Sequence, residues 1–317
     1  MKILITGSAG FIGYHLAKKL LNKNYEVMGI DNLNDYYDPI LKKDRLNLLK
    51  SFQKFKFVRV DISDNESFLN AFKKFDPEKV INLAAQAGVR YSLTNPQAYS
   101  CSNLQGFINV IEACRQFNTR GLIYASSSSV YGSNASKPFK ESDRTDKPIS
   151  LYGATKKANE LIAYSYSHLY GLNTTGLRYF TVYGSWYRPD MAMHIFSKKI
   201  CDNVPIEVYN NGNMKRDFTY IDDIIEGTLS ALNCNFPCEV FNLGNNKSEN
   251  LMDVIALLEK EYSKKATIHF KPLQPGDAQE TYAAIDHSNK KLRYKPTTDI
   301  QIGIKSFTNW FKDYYNV

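Results

Sequence analysis

Short apolar segments alternate with amphipathic segments over the first 180 residues, and this alternation limits the folds open to the chain. The sequence predicts strands at residues 2–6, 25–31, 55–61, 79–84, 121–126 and 173–179, and helices at 11–22, 67–75, 103–117 and 155–169. Strands that alternate with helices over short links form a parallel sheet that is covered on both faces. We therefore expect an α/β fold built on a doubly wound parallel sheet.

Composition agrees with a folded globular chain of one large domain or two ordinary ones. The 317 residues are 43% hydrophobic and 23% charged, which excludes disorder, collagen-like repeats and coiled coil as whole-chain interpretations. No apolar run approaches the roughly 18 residues of a membrane span. The first residues contain no signal peptide, so we expect a cytoplasmic protein without a membrane partner.

Charge and cysteine content point away from nucleic acid and metal. Lys and Arg number 40 against 32 Asp and Glu, a formal net charge of +8. The basic pairs are scattered along the chain, whereas nucleic-acid binding calls for clustered basic residues. The five cysteines are odd in number and widely spread, which favours reduced thiols. We expect no metal site.

A glycine motif follows the first predicted strand and opens the first predicted helix. Gly7, Gly10 and Gly13 have the spacing that permits a tight turn, close approach of the backbone to a pyrophosphate, and close packing of helix on strand. The free N–H groups at the helix start then face the phosphates. A glycine triplet alone is weak evidence, but this one has the required strand before it and helix after it.

An acidic residue ends the second predicted strand, eighteen residues after Gly13. In a dinucleotide site, Asp31 would accept hydrogen bonds from the adenosine ribose hydroxyls and would repel a 2′-phosphate, which favours NAD over NADP. A strand-end turn or a helix N-cap would also explain an aspartate at this place. Asp61 and Ile62, after the third strand, are candidates for the adenine edge, and a turn aspartate explains Asp61 almost as well.

A tyrosine and a lysine stand four residues apart at the start of the helix near residue 155. Residues i and i+4 share one helix face, so Tyr152 and Lys156 lie side by side. A phenol of pKa about 10 is a poor base at neutral pH, but a neighbouring cation stabilises its phenolate. With 22 tyrosines in the chain, such a pair is also expected by chance.

Four consecutive serines, residues 126–129, follow the apolar strand near residue 123. We call them the serine segment. The carboxyl ends of strands are where doubly wound folds bind ligands, so these hydroxyls are placed to bind a substrate oxygen. A solvated serine loop is the alternative interpretation.

These motifs together resemble the extended short-chain dehydrogenase/reductases, and specifically the NAD-dependent nucleotide-sugar 4-epimerases, over nearly the whole chain. The branch that the chain resembles most is that of the UDP-glucuronate 4-epimerases. The strings that support this branch are residues 29–38, 84–92, the serine segment, 188–192, 215–223 and 274–277.

The resemblance implies a Rossmann-like, NAD-binding domain and a smaller, discontinuous UDP-sugar-binding region. The first would comprise residues 1–180 and 217–247, and the second residues 181–216 and 248–317. The implied cofactor is a tightly held NAD. Its implied contacts are Gly7, Gly10, Phe11, Ile12, Gly13, Asp31, Asn32, Asp61, Ile62, Leu83, Ala84, Ala85, Tyr152 and Lys156.

The resemblance also assigns catalytic roles. Tyr152 is the expected base, Lys156 its partner, and Ser127 the hydroxyl that hydrogen-bonds the reacting 4-OH. Related dehydratases and decarboxylases have an acidic residue where this chain has Ser129, and a serine cannot replace a carboxyl group as acid or base. We therefore expect epimerisation without loss of water or carbon dioxide.

The expected substrate contacts fall into two groups. Ser128, Ser129 and Thr181 offer neutral donors for a sugar carboxylate, although Thr181 is also explained as a neutral change at a packed position. Arg188, Arg216 and Asp277 are expected to bind the UDP, because the planar fork of Arg suits a pyrophosphate. Arg90 is expected near the sugar or its phosphates.

Two alternatives and one partner remain open from the sequence. Ser185, Tyr187 and Gln274 depart from the branch pattern, so a 4-epimerase of neutral or N-acetylated UDP-hexoses is the first alternative. A non-catalytic NAD-binding sensor is the second. The helices at 103–117 and 155–169 have apolar residues on more than one face, and the resemblance implies that they pair in a homodimer.

Overall fold

The computed structural model describes residues 1–133 and 136–317. In these ranges the strands are β1 Lys2–Thr6, β2 Glu26–Asp31, β3 Phe55–Arg59, β4 Lys79–Asn82, β5 Leu122–Ser127, β6 Thr174–Tyr179, β7 Thr181–Tyr183, β8 Ile206–Tyr209, β9 Lys215–Arg216, β10 Phe218–Tyr220, β11 Cys238–Leu243, β12 Glu249–Asn250 and β13 Ile268–Lys271. The helices are α1 Phe11–Asn22, α2 Pro39–Lys50, α3 Asn65–Phe75, α4 Tyr91–Thr94, α5 Pro96–Tyr99, α6 Gly106–Gln116, α7 Leu151–Tyr170, α8 Ala192–Cys201, α9 Ile221–Leu232, α10 Leu251–Tyr262, α11 Asp286–Leu292 and α12 Ile300–Tyr315. A π-helical turn, Ser100–Gln105, leads into α6, and a 3₁₀ turn, Ser128–Tyr131, follows β5.

Seven parallel strands form the central sheet in the order β11-β6-β5-β4-β1-β2-β3. The chain builds outward from β1 through β2 to β3, then returns to the other side of β1 with β4. This confirms the predicted doubly wound α/β fold. Ligands bind such sheets at the carboxyl ends of the strands where the building direction reverses, which here lies between β1 and β4.

Helices cover both faces of this sheet because its strands are apolar on both sides. In β1, Ile3 and Ile5 belong to the core beneath α1, α9 and α12, whereas Leu4 belongs to the core beneath α3 and α6. In β5, Ile123 faces the first core and Tyr124 the second. This alternation follows the two-residue period of a strand and explains why the strands appear as continuous apolar runs.

Several predicted bounds were wrong, and helices α2, α4 and α5 lie where the sequence analysis predicted no element. Helix α7 begins at Leu151 instead of residue 155, because the Ser150 hydroxyl caps it by accepting a hydrogen bond from Gly153 N at 3.0 Å. Strands β3 and β4 end about two residues before their predicted ends. The sequence analysis assigned no element to residues 32–54, where the structure has α2, with Asp38 as its N-cap.

Beyond residue 180 the chain forms short two-stranded sheets and five further helices among the described residues. The pairs are β7 with β10, β9 with β12, and β8 with β13. Strand β11 returns to the central sheet beside β6. The described residues include no helix that is both long and apolar enough to span a membrane.

A buried ion pair joins α7 to the central sheet. Arg178 of β6 donates two hydrogen bonds to Glu160 of α7, at 2.8 and 2.9 Å, and both side chains are almost fully buried. Glu160 also accepts a hydrogen bond from the Ser126 hydroxyl at 2.7 Å, and Arg178 donates to the Tyr131 hydroxyl at 2.9 Å. The pair thus fixes α7 against the end of β5.

We predict that Arg178→Met lowers the free energy of unfolding by about 3–5 kcal/mol, because it leaves the Glu160 carboxylate buried without its partner. Chemical denaturation monitored by circular dichroism measures this change. Arg115→Met removes a half-exposed ion pair with Glu112 and should cost less than about 1 kcal/mol. Equal losses in the two variants would contradict the role given to the buried pair.

Candidate active site

The glycine motif forms the turn between β1 and α1 as predicted from its spacing. Gly7 N donates to Ile30 O of the neighbouring strand at 2.7 Å. A Cβ atom at Gly13 would lie 2.1 Å from Gly7 O, so no larger residue fits while the helix packs this close to the turn. The first N–H groups of α1 are left facing the cleft above the sheet.

Asp31, at the carboxyl end of β2, is buried and holds two loops together. Its carboxylate accepts hydrogen bonds from Ala9 N at 3.1 Å and from Leu33 N at 2.9 Å. Burial raises the pKa of Asp31, while these two N–H groups and the charges of Lys42 and Arg45 oppose the rise. The carboxylate lines the cleft beside the glycine turn, where a ribose would meet it.

The remaining predicted cofactor residues lie along the same edge of the sheet. Asp61 accepts hydrogen bonds from Asn32 Nδ2 at 2.8 Å and from Ser63 N at 2.9 Å. The Thr6 hydroxyl donates to Asn82 Oδ1 at 2.6 Å and accepts from Ala84 N at 3.1 Å, which joins the ends of β1 and β4. Ile62, Leu83, Ala84 and Ala85 line the cleft with them.

Tyr152 and Lys156 occupy the first two turns of α7 and face the end of β5. Lys156 Nζ donates to Ala125 O at 2.9 Å and lies 5.9 Å from the centre of the Tyr152 ring. Burial lowers the pKa of Lys156 to about 8. Burial raises the pKa of Tyr152, whereas its hydrogen bond with Ser127 and the charge of Arg188 lower it.

The start of α7 lies unusually close to the serine segment because residue 153 has no side chain. A Cβ atom at Gly153 would lie 2.6 Å from Ser129 O. Ser127 caps the 3₁₀ turn, accepting from Ser129 N at 3.1 Å, and its hydroxyl lies 3.2 Å from Ser129 Oγ. The tyrosine, lysine and serine therefore form one group.

Neutral hydroxyls surround this group, and cations lie on two sides of it. Ser128, Ser129 and Thr181 line the cleft beside Tyr152. Arg90, Arg216 and Asp277 form a separate cluster: Arg90 pairs with Asp277 at 2.8 Å, and both are near enough to Arg216 to influence its pKa. Burial lowers the pKa of Arg216.

The structure places Arg188 apart from this cluster. Its guanidinium donates two hydrogen bonds to Asp190, at 3.0 and 2.5 Å, and Asp190 also accepts from the Tyr36 hydroxyl at 3.1 Å. Arg188 is close enough to Tyr152 to lower the pKa of the phenol. Of the cations expected at the UDP, Arg188 is the one whose charge affects the Tyr152 phenol.

All of the site residues predicted from the sequence line one cleft of about 670 Å³ above the carboxyl edge of the sheet. It extends from the glycine turn, past Tyr152, to Arg216 and Asp277. A cleft of this size accommodates a ligand of several linked rings.

Comparison with known proteins identifies the family. Residues 3–244 match the family described as NAD dependent epimerase/dehydratase. The chain belongs to this family. The family predicted from the motifs is thereby confirmed.

Three similar proteins show how far the family likeness extends. The chain is 49% identical to Protein CapI of Staphylococcus aureus, with 99% of each chain covered. It is 45% identical to UDP-glucuronate 4-epimerase 3 of Arabidopsis thaliana, over 99% of this chain and 77% of the relative. The UDP-glucuronic acid 4-epimerase of Bacillus cereus, crystallised with UDP-glucuronic acid and NAD, superposes with a TM-score of 0.94 at 37% identity, over 99% of this chain and 100% of that one.

This epimerase/dehydratase family is NAD-dependent, and the residues present fit that cofactor. Gly10 is the N-cap of α1, and no side chain caps the helix there, which suits a pyrophosphate. Asp31 offers a buried carboxylate for a ribose, and Lys156 offers an ammonium beside Tyr152.

Several residues that help to build the cleft were not predicted from the sequence. Tyr36 and Asp190 meet across the cleft. Asn103, in the π-helical turn, accepts from Gln86 N at 2.8 Å and donates to the Thr155 hydroxyl at 3.0 Å, which joins the loop after β4 to α7. Asn103 lies among other polar residues, Ser100, Ser102 and Gln105, and it was the first residue of the predicted helix, so the local sequence contained no signal for this contact.

We predict that Gly13→Ala weakens NAD binding by at least about tenfold, because the added methyl group must displace the glycine turn at a cost of about 1–3 kcal/mol. Isothermal titration of protein freed of nucleotide measures the affinity. Gly121→Ala is the matched control, since a Cβ atom there meets Asn173 O at an ordinary 3.4 Å. An unchanged affinity in Gly13→Ala would show that the turn does not hold the cofactor.

Proposed function

We propose that this protein is a UDP-glucuronate 4-epimerase, which interconverts UDP-glucuronate and UDP-galacturonate. One observation supports this best: Tyr152, Ser127 and the buried Lys156 line one cleft, with the Lys156 ammonium 5.9 Å from the centre of the Tyr152 ring. The likeness of the whole chain to proteins named as UDP-glucuronate 4-epimerases gives the substrate class.

In the proposed reaction, Tyr152 removes the proton from the sugar 4-hydroxyl while Ser127 hydrogen-bonds the same oxygen. Bound NAD supplies the acceptor, and then the donor, of the hydride at carbon 4. The Lys156 ammonium, 5.9 Å from the centre of the Tyr152 ring, would stabilise the phenolate electrostatically, and the charge of Arg188 lowers the pKa of the same phenol. After the 4-keto sugar turns over, carbon 4 takes the hydride back on its other face, and Tyr152 returns the proton to the same 4-oxygen, which is now in the inverted configuration.

The neutral hydroxyls beside the base suit a uronate that must keep its carboxylate. A 4-keto uronate is a β-keto acid and loses carbon dioxide readily when its carboxylate is free to rotate. Ser128, Ser129 and Thr181 can hold that group by hydrogen bonds without supplying an acid. Ser129 stands where a carboxyl group would be expected in a decarboxylase or dehydratase.

For the nucleotide, we propose that Arg216 and Arg90 bind the UDP phosphates and that Asp277 accepts a ribose hydroxyl. Arg188, which the sequence analysis also assigned to the UDP, would reach the phosphate nearest to the sugar. The proposed NAD-binding part comprises residues 1–180 and 217–247, and the UDP-sugar-binding part residues 181–216 and 248–317.

We also propose a cytoplasmic homodimer. The five free cysteines suit a reducing compartment. Helices α6 and α7 expose large apolar side chains that a partner would cover: Ile108 is 38% exposed, Leu161 58% and Tyr164 63%. In this arrangement the two helices of each protomer form a four-helix interface.

The first test is proton NMR of purified protein with UDP-glucuronate and no added NAD. We expect UDP-galacturonate to appear, and Tyr152→Phe to lower the turnover by about 10²–10⁴-fold because the base is lost. Tyr164→Phe, on the same helix but exposed, should keep full turnover.

Other outcomes of this test identify the alternatives. A pentose product with carbon dioxide would contradict the role of Ser129. Turnover of UDP-glucose or N-acetylated UDP-hexoses alone would indicate a 4-epimerase of those sugars. No turnover of any of these substrates, with or without NAD, would favour the NAD-binding sensor.

Carboxylate recognition has its own test. Ser128→Ala and Thr181→Ala should each lower kcat/KM for UDP-glucuronate by about tenfold or more, because a hydrogen bond to a charged group is lost. The loss for UDP-glucose should be much smaller. Equal losses for the two substrates would count against carboxylate recognition, and Ser165→Ala on the exposed face of α7 serves as the control.

The dimer is tested by light scattering at micromolar concentration. Wild-type protein should have twice the chain mass of 36.2 kDa, and Leu161→Glu should be monomeric because a charge would be buried in the interface. Ile302→Glu, at a position of α12 that is 63% exposed, should remain dimeric. A monomeric wild-type protein would contradict the proposal.

A further inference from the structure

A fully buried arginine in α2 makes all of its hydrogen bonds to neutral oxygens. Arg45 Nη1 donates to Ala9 O at 2.9 Å and to the Tyr37 hydroxyl at 3.0 Å, and Nη2 donates to Trp186 O at 2.5 Å. Its side chain is 0% exposed, and Nε has no partner. Burying a cation costs free energy unless an anion or hydrogen bonds compensate it. We therefore ask what the burial of Arg45 achieves in the fold.

The three acceptors belong to three segments that lie far apart in the sequence. Ala9 is in the glycine turn, Tyr37 is in the loop that follows β2, and Trp186 is in the loop that precedes α8. Each of these three segments contributes residues to the wall of the cleft. Arg45 stands behind the wall of the cleft and joins all three segments at one point.

Two further hydrogen bonds tie the same segments. The Tyr36 hydroxyl donates to Asp190 at 3.1 Å, which joins the loop after β2 to the loop before α8. The His15 ring hydrogen-bonds Ser185 O at 2.9 Å, which joins that second loop to α1. Because a carbonyl only accepts, His15 Nε2 is the donor. The loop after β2 and α1 are thus each joined by a hydrogen bond to the loop before α8.

Charged groups next to Arg45 reach the cleft. Lys42, one turn earlier on α2, lines the cleft and donates to Asn34 O at 2.7 Å. Asp31 interacts with both Lys42 and Arg45, and Asp35 also interacts with Lys42. Lys42 and Asp31 line the cleft beside the glycine turn, so the side chains coupled to Arg45 lie where a dinucleotide would bind.

We propose that Arg45 is a positioning residue for cofactor retention, which holds the glycine turn and the two loops together around the dinucleotide. This inference rests on the proposed function, because it takes the ligand to be NAD. Release of the cofactor then requires the Arg45 hydrogen bonds to break, so the cofactor stays bound between turnovers. Arg45 itself does not contact the reacting atoms.

The test compares NAD release from wild-type protein and from Arg45→Met. Purified protein is diluted into excess alcohol dehydrogenase and ethanol, so that each released NAD is reduced and its fluorescence is recorded. We expect release from Arg45→Met to be at least about tenfold faster, since hydrogen bonds from a charged group are lost. Turnover at saturating NAD should change by less than about threefold. Arg120→Met, an exposed arginine paired with Glu78, should release NAD like the wild type.

A second variant keeps the test decisive if Arg45→Met does not fold. The double substitution Tyr36→Phe with Tyr37→Phe removes the Tyr36–Asp190 and Arg45–Tyr37 hydrogen bonds and leaves the buried arginine in place. It too should accelerate the release of NAD. Release at the wild-type rate from a folded Arg45→Met, or from the double variant if the first is unfolded, overturns the inference alone. A wild-type protein that holds no dinucleotide overturns the inference and the proposed function together.

Discussion

Between β1 and β4 the chain reverses the direction in which it adds strands to the sheet, and the site depends on this reversal. Helices that follow β1 and β4 leave on opposite sides there, so a cleft opens above the carboxyl ends of the two strands. The glycine turn, Asp31 and the serine segment all follow strands of the same parallel sheet. Parallel strands place all of these residues at one edge, although the glycine turn and the serine segment are more than 100 residues apart in sequence.

The sheet and the catalytic group were predictable because their signals are local. The glycine spacing needs only a strand before it and a helix after it, and the four-residue spacing of Tyr152 and Lys156 is a property of any helix. Helix α2 was missed for a physical reason. Its buried face contains Lys42 and Arg45 among the leucines, so the apolar periodicity that indicates a helix is interrupted by two cations.

Long-range partners were beyond the reach of the sequence. Arg188 lies two residues from Asp190 in the sequence. The sequence does not show that the two form an ion pair or that the Tyr36 hydroxyl also donates to Asp190. Arg188 and Arg90 are each paired with a carboxylate. Any anion that binds either guanidinium must compete with that carboxylate, which reduces the net gain from binding and favours ligands that offer two or more contacts at once.

The two adjacent serines at the end of β5 have separate tasks because neighbouring residues on a strand point to opposite faces. The Ser126 hydroxyl donates to Glu160 and anchors α7, whereas Ser127 meets Tyr152. Anchoring of α7 and contact with Tyr152 are thus divided between consecutive positions. Ser128 and Ser129 follow in a turn that hydrogen-bonds Ser127 and packs against Gly153. Because Glu160 holds α7 through Ser126 and Arg178, the serine side chains that line the cleft can change while the helix stays fixed to the sheet.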